Sequence, residues 1–217
     1  MTSGSRADDR CWRCDAPGAG VLVCPRCEAP QPLDPAVDYF ALLGLPRRLV
    51  IDAEDLERRY HAAARRVHPD RHQTAGAHAQ ALALAASAAL NRAYRTLRDP
   101  VARGRYWLEL HGRPLAGAGN GVPPALAALV FDVQEKLAEL RASGAAPGAL
   151  RAEVEAARDE IGGRLDGLAN ALARRYAEWD AAAAGASPGA LEELRHRLAE
   201  MAYLDTLHAD VAAALGG

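Results

Sequence analysis

The chain has 217 residues, half of them hydrophobic, which is enough to bury the cores of two small domains. Its 26 basic and 28 acidic side chains give a formal net charge of −2, which disfavours a nucleic-acid binder or a binder of anionic membranes, since both rely on a basic surface. No apolar stretch is long enough and free enough of polar residues to span a bilayer. Strand-forming patterns are scarce, whereas Ala, Leu, Arg and Glu are abundant, so the composition predicts an all-α fold.

The first ten residues contain no apolar core and carry Asp8 and Asp9. A secretory signal needs an apolar run, and an organelle transit peptide is poor in acidic residues. We therefore predict that residues 1–10 form a short disordered tail on a cytoplasmic protein.

Residues 11–37 contain all four cysteines, in the pairs Cys11-Trp-Arg-Cys14 and Cys24-Pro-Arg-Cys27. Each CxxC pair can turn two thiolates toward one point, and two pairs complete a tetrahedron around a soft ion such as zinc. Disulfides are disfavoured without an export signal, and redox CxxC chemistry requires a strand-to-helix context that this Pro- and Gly-rich segment lacks. The segment therefore predicts a structural zinc site. Iron takes the same four thiolates, and a thiol oxidoreductase and a direct role in cluster binding remain as competing hypotheses.

A helix is predicted between Asp52, which can cap its N-terminus, and His68-Pro69-Asp70, where the proline ends it. One narrow apolar stripe of this helix is expected to face a core, and it consists of Leu56, Tyr60, Ala63 and Val67. Four arginines lie on or beside the opposite face, and they are Arg58, Arg59, Arg65 and Arg66. On an arbitrary helix such a face is usually just solvated, and the tripeptide alone is only a helix stop.

Residues 113–122 read RPLAGAGNGV, which is typical of a Gly-rich linker. Residues 123–217 contain a long helical pattern with apolar residues at spacings of three and four, flanked by helices at about 123–142 and 189–215. Short turns join the three patterns, and short connections make helices antiparallel neighbours. We therefore predict a three-helix bundle.

On the first bundle helix, Phe131 lies about 140° around the axis from Leu126, at about 100° per residue, and so points away from the predicted core. Asp132, Glu135 and Glu139 lie on the same outer side. An outward aromatic ring among small and acidic residues is suited to binding a partner, although a lone exposed aromatic is also common.

Three segments together resemble the J domain: DYFALLGL at 38–45, the basic helix that ends in HPD, and LNRAYRTLRDP at 90–100. The resemblance implies a J domain over 38–112, folded as an antiparallel helical hairpin with HPD at its tip. It also implies docking on the ATPase of a DnaK-type chaperone, with His68, Pro69 and Asp70 as the trigger of ATP hydrolysis. The four arginines would supply steering contacts, and Arg71 stands where lysine is common. A J domain is not itself an enzyme, so no catalytic residue is predicted.

Residues 103–112, RGRYWLELHG, together with the linker and bundle that follow, are similar to HscB, the iron–sulfur cluster co-chaperone. The double CxxC also resembles the zinc-binding extension of eukaryotic and some bacterial members. We therefore expect a cytoplasmic bacterial protein whose partners are a DnaK/HscA-type chaperone and an IscU-type scaffold.

The resemblance implies that the outer side of the bundle binds the scaffold through Phe131, Asp132, Glu135, Glu139 and Tyr203. The family's leucine–methionine–glutamate run is not reproduced on the first bundle helix, where 127–129 read Ala-Ala-Leu. The alternative is a J protein that hands general misfolded clients to its chaperone.

Overall fold

The structure is a computed structural model that describes residues 10–18, 20, 22–115, 121–142, 148–182 and 187–216. Within these ranges the chain forms helices and two isolated β-bridges, which confirms the all-α prediction. The chain divides into two compact units, Met1–Asp99 and Pro100–Gly217. Of the helices in the described ranges, none combines the length and the apolar character needed to cross a membrane. Residues 1–9 of the predicted tail and 116–120 of the predicted linker lie outside the described residues.

The first unit contains helices α1 (Tyr39–Leu42), α2 (Ala53–Val67) and α3 (Ala77–Arg98), with a short 3-10 helix, Pro69–His72, between α2 and α3. Helix α2 begins where predicted, because the carboxylate of Asp52 accepts the amide of Asp55 at 3.0 Å.

Helices α2 and α3 pack against each other as a hairpin, and α1 packs against α3. Alanine dominates the buried face of α3, which allows the helices to approach closely, and the buried residues of α3 are Ala79, Ala83, Ala86, Ala89, Leu90, Ala93 and Leu97. From α2, Leu56 and Val67 are fully buried as predicted, whereas Tyr60 and Ala63 are only half-buried.

The second unit contains α4 (Pro100–Leu110), a 3-10 turn at Pro124–Leu126, and the helices α5 (Ala127–Ala142), α6 (Gly148–Ala181) and α7 (Pro188–Gly216). Helices α5, α6 and α7 pack on one another and form the three-helix bundle that the sequence predicts. Their shared core includes Leu126, Val130, Val133, Leu137, Val154, Ile161, Leu204, Leu207 and Val211.

Helix α4 packs on α6 and α7, although its residues fall inside the segment 38–112 that the sequence assigns to the J domain. The buried hydroxyl of Tyr176 donates to the carbonyl of Pro100 at 2.9 Å. A methyl group on Gly104 would lie 2.1 Å from that hydroxyl oxygen, so glycine is needed where α4 meets α6. This close approach ties α4 to the second unit.

Candidate functional sites: the four-cysteine cluster and the His-Pro-Asp turn

The four cysteine sulfurs converge on one point in the first unit. The Sγ atoms of Cys11 and Cys27 are 3.6 Å apart, those of Cys14 and Cys24 are 3.7 Å apart, and all four lie within 4.8 Å of one another. Four thiolates at about 2.3 Å from a tetrahedral ion would be separated by roughly 3.8 Å, so the measured spacing fits a metal site. A disulfide would require sulfurs about 2 Å apart, and the four thiols are free. The cluster is arranged to bind a metal ion.

The two CxxC turns repeat the same backbone conformation thirteen residues apart. In each turn the amide of the arginine, Arg13 or Arg26, donates to the sulfur of the first cysteine at 3.4 Å. In each turn the residue after the second cysteine, Asp15 or Glu28, adopts a left-handed conformation, with φ of 56° and 55° respectively. These local bonds turn both thiols of a pair inward, which explains why spacing alone predicts the cluster.

The pKa values of the thiols also favour the binding of a cation. Burial works against the Cys11 thiolate, but the amides of Cys14 and Arg13 and the neighbouring thiols lower the pKa of Cys11 to about 6. The amide of Ala29 lowers the pKa of Cys27, but burial and the other three sulfurs raise it more, to about 12. One thiolate therefore forms readily near neutral pH and opposes ionisation of the next. A bound dication removes this repulsion.

Gln31 is a member of the cluster that sequence reasoning missed. Its side chain is buried, and its amide nitrogen donates to the Cys11 sulfur at 3.4 Å and to the carbonyl of Ala29 at 2.8 Å. A polar residue soon after the second CxxC was the available signal, but nothing in the sequence shows that it folds back onto the first cysteine.

The His-Pro-Asp turn is rigid and exposed. His68 has an extended backbone, with φ −58° and ψ 129°, as the residue before a proline requires. Its Nδ1 accepts the amide of Asp70 at 3.3 Å, and the side chains of His68 and Asp70 are 58% and 71% exposed. The buried His72 lies with Nε2 3.0 Å from the carbonyl of Arg66, which fastens the turn to α2. The turn therefore presents His68, Pro69 and Asp70 in a fixed conformation to solvent.

All four arginines predicted on α2 are exposed, but they are not equivalent. Arg58 and Arg59 both form ion pairs with Asp55 in the first turn of the helix. Arg65 and Arg66, nearer the turn, form no ion pair with any residue that the structure describes. These two guanidinium groups are the ones available for an anionic partner.

On the bundle, Phe131 points outward as predicted and is 72% exposed, whereas Val130 and Val133 beside it are buried. Asp132 is paired with Lys136, whose Nζ lies 2.8 Å from the carboxylate, and the pair raises the pKa of Lys136. Because its charge is offset within α5, Asp132 contributes less negative potential than the sequence suggests.

The remaining residues predicted for this patch differ in exposure. Glu135 and Glu139 are exposed on α5. Tyr203 on α7 is half-buried and packs against the core of the bundle, so its ring has a structural contact in addition to any role at the surface.

Comparisons with known proteins agree with this geometry. Residues 38–106 match the family model of the DnaJ domain. A curated relative from Bordetella petrii, named co-chaperone protein HscB homolog, is 37% identical over 180 residues, which cover 82% of this chain and 96% of the relative. A relative of the same name from Bordetella pertussis is 44% identical over 124 residues, which cover 57% of this chain and 73% of the relative.

Among solved structures, the crystal structure of human co-chaperone protein HscB matches with a TM-score of 0.64 and 26% sequence identity. The match covers 94% of this chain and 97% of the human chain. The DnaJ-domain match, the two relatives and the shared fold lead to one family. The chain belongs to the HscB family of J-domain co-chaperones and carries, ahead of its J domain, a module with four cysteines arranged to bind a metal ion.

Proposed function

We propose that this chain stimulates the ATPase of a DnaK/HscA-type chaperone and delivers to it an IscU-type iron–sulfur scaffold protein. The observation that carries the proposal is the exposed, rigid His68-Pro69-Asp70 turn at the end of an arginine-bearing helix, in a member of the HscB family. A human relative is named iron–sulfur cluster co-chaperone protein HscB, and it is 34% identical over 141 residues, which cover 63% of this chain and 60% of the relative. That name supports the iron–sulfur part of the proposal.

The first step is docking on the chaperone ATPase. Arg65 and Arg66 attract an acidic surface and orient α2, since long-range charge complementarity mainly raises the association rate. His68 and Asp70 then make short-range contacts that the proline holds in place without an ordering cost at binding. We assign the turn a docking role rather than acid–base chemistry, because among the described residues neither side chain forms a hydrogen bond with a serine, threonine or cysteine.

The second step is recruitment of the scaffold by the outer face of α5. Phe131 supplies the central apolar contact, with the exposed alanines at 127 and 128 one helical turn before it. Glu135 and Glu139 form the acidic rim and favour a partner with a basic surface. In this proposal the chaperone binds the first unit of the chain and the scaffold binds the second.

The third element is the metal. We assign zinc to Cys11, Cys14, Cys24 and Cys27, in a closed structural site with no position open to a substrate. A bound zinc ion would fix the two CxxC turns relative to each other. Iron takes the same ligands, and elemental analysis distinguishes the two. Four cysteines that hold a metal as thiolates must stay reduced, and the curated relatives from Bordetella are bacterial, so we assign the protein to the bacterial cytoplasm.

The test of the proposed function is a steady-state ATPase assay with a purified HscA-type chaperone. His68→Gln should abolish stimulation and leave helicity and melting temperature unchanged, since the substituted side chain is exposed. The matched control is His196→Gln, an exposed histidine on α7, which should stimulate like the parent. Full stimulation by His68→Gln would refute the docking role of the turn.

A further assay separates the scaffold from general clients. A pull-down with the parent chain should recover an IscU-type scaffold, and Phe131→Ser should lose it. Recovery of a broad mixture of unfolded proteins, equally by both chains, would favour the general-client alternative.

A further inference from the structure

The metal-binding module packs directly on the hairpin beside the His-Pro-Asp turn. The ring of Trp12, inside the first CxxC turn, meets the ring of His78 on α3 edge-on at a centroid distance of 4.7 Å. Its indole nitrogen donates to the carbonyl of Pro30 at 2.6 Å, which fixes the ring against the second turn of the module. The carboxylate of Glu28 lies 3.5 Å from the guanidinium of Arg71, the residue that follows His-Pro-Asp. The module is therefore held at the tip of the hairpin.

Between the module and the hairpin lies a cleft of about 280 Å³, which we call the arginine cleft. Its charged lining consists of Arg13 from the module, Arg66 from α2, Arg71 from the turn and Glu28 from the module. Cys27 of the four-cysteine cluster and the buried His72 also line the cleft, and among its arginine and carboxylate side chains three guanidinium groups face one carboxylate. The side chains of Arg13 and Arg66 have no ion-pair partner among the residues that the structure describes.

The arginine cleft is continuous with the proposed chaperone-docking surface. Arg71 lines the cleft and also lines the depression of about 410 Å³ formed by His61, Ala64, Arg65 and His68 in front of the turn. A partner whose acidic surface covers α2 and contacts His68 would therefore extend over the arginine cleft as well.

Building on the proposed function, we infer that the metal-binding module supplies part of the chaperone-docking surface. The arginine cleft takes one or more carboxylates from an acidic segment of the chaperone ATPase, with Arg13 and Arg66 as donors. Glu28 competes with that segment for Arg71 from within the chain. Removal of positive charge from Arg13 should therefore weaken docking, and removal of negative charge from Glu28 should strengthen it.

The two CxxC turns provide a matched control for this inference. Arg13 and Arg26 occupy the same position in their turns and donate the same amide bond to sulfur, but Arg26 does not line the arginine cleft. Charge reversal at either position changes the net charge of the module equally. A difference in docking between the two variants is therefore due to the position of Arg13 in the cleft and not to the overall charge of the module.

The experiment measures the concentration of chain that gives half-maximal stimulation of a purified HscA-type chaperone, at low and at high salt. Arg13→Glu should raise this concentration roughly five- to tenfold at low salt, with a smaller change at high salt. Arg26→Glu should change it less than twofold. Glu28→Gln should lower it roughly two- to threefold, and it places no new charge beside the sulfurs. Elemental analysis of each variant checks that the metal is retained.

The outcomes distinguish this inference from the proposed function. If Arg13→Glu and Arg26→Glu behave alike and Glu28→Gln has no effect, while His68→Gln still abolishes stimulation, the role of the arginine cleft is overturned and the docking role of the turn stands. If His68→Gln stimulates like the parent, the proposed function itself fails. Opposite shifts for Arg13→Glu and Glu28→Gln, with Arg26→Glu unchanged, establish the cleft as a docking contact.

Discussion

Replacing Phe131 with serine is expected to weaken binding of an IscU-type scaffold about thirtyfold. An aromatic side chain offers about 150–250 Å² for burial, and Phe131 is 72% exposed, so roughly 110–180 Å² is available to a partner. At about 25 cal/mol per Å², complete burial would contribute roughly 3–4.5 kcal/mol. Incomplete burial and the cost of immobilising side chains reduce this figure to about 2 kcal/mol, and 1.4 kcal/mol corresponds to a tenfold change in affinity.

The assay is calorimetric titration of the purified scaffold into the parent chain and the variant. Leu84→Ser is the matched control, because Leu84 is also a large exposed apolar residue, at 63%, but lies on α3 in the other unit. The control should bind like the parent, and both variants should keep the parent's melting temperature. Glu135→Lys, in contrast, should chiefly lower the association rate, and increasingly so at low salt. If Phe131→Ser binds within twofold of the parent, the patch is misplaced.

Two further predictions concern metal and packing. Cys11→Ser combined with Cys27→Ser should remove the single zinc ion expected per chain and the order of residues 11–33, while helical signal and bundle melting persist. Elemental analysis and circular dichroism check this, and a parent chain with no metal and four titratable thiols would contradict it. Gly104→Ala should destabilise the second unit by about 1–3 kcal/mol because the new methyl group meets the buried tyrosine hydroxyl. Gly163→Ala, inside a helix with nothing within 4 Å, should stabilise it by about 1 kcal/mol in denaturant titrations, and equal effects of the two substitutions would refute the packing argument.

The features that the sequence predicts best are those encoded by local spacing. Each CxxC turn is stabilised by hydrogen bonds within five residues of its cysteines, so the inward orientation of each thiol pair follows from the motif. The apolar stripe of α6 follows from helical periodicity, and its residues Leu150, Val154 and Ile161 are buried. The end of α2 follows from the restrictions that Pro69 imposes.

The features that escape the sequence depend on contacts between distant segments. The packing of Trp12 on His78 joins residues 66 positions apart and has no periodic signal. From the sequence alone, Gly104 is only a residue that weakens a helix. The structure shows its close approach to Tyr176 of α6, and α4 belongs to the second unit. The pairing of Asp132 with Lys136, in contrast, has the i, i+4 spacing of a helical ion pair and was readable from the sequence.

The proposed function requires that one chain brings the chaperone and the scaffold together. The most direct measurement is the steady-state ATPase rate of a purified HscA-type chaperone with the chain alone, with the scaffold alone and with both. Because the chain would hold the scaffold at high effective concentration beside the chaperone, both together should stimulate well beyond the sum of the separate effects. Phe131→Ser should retain the stimulation by the chain alone and lose the additional part. A rate with both proteins no greater than the sum, or a Phe131→Ser chain that retains the full additional stimulation, would contradict the proposed joint recruitment.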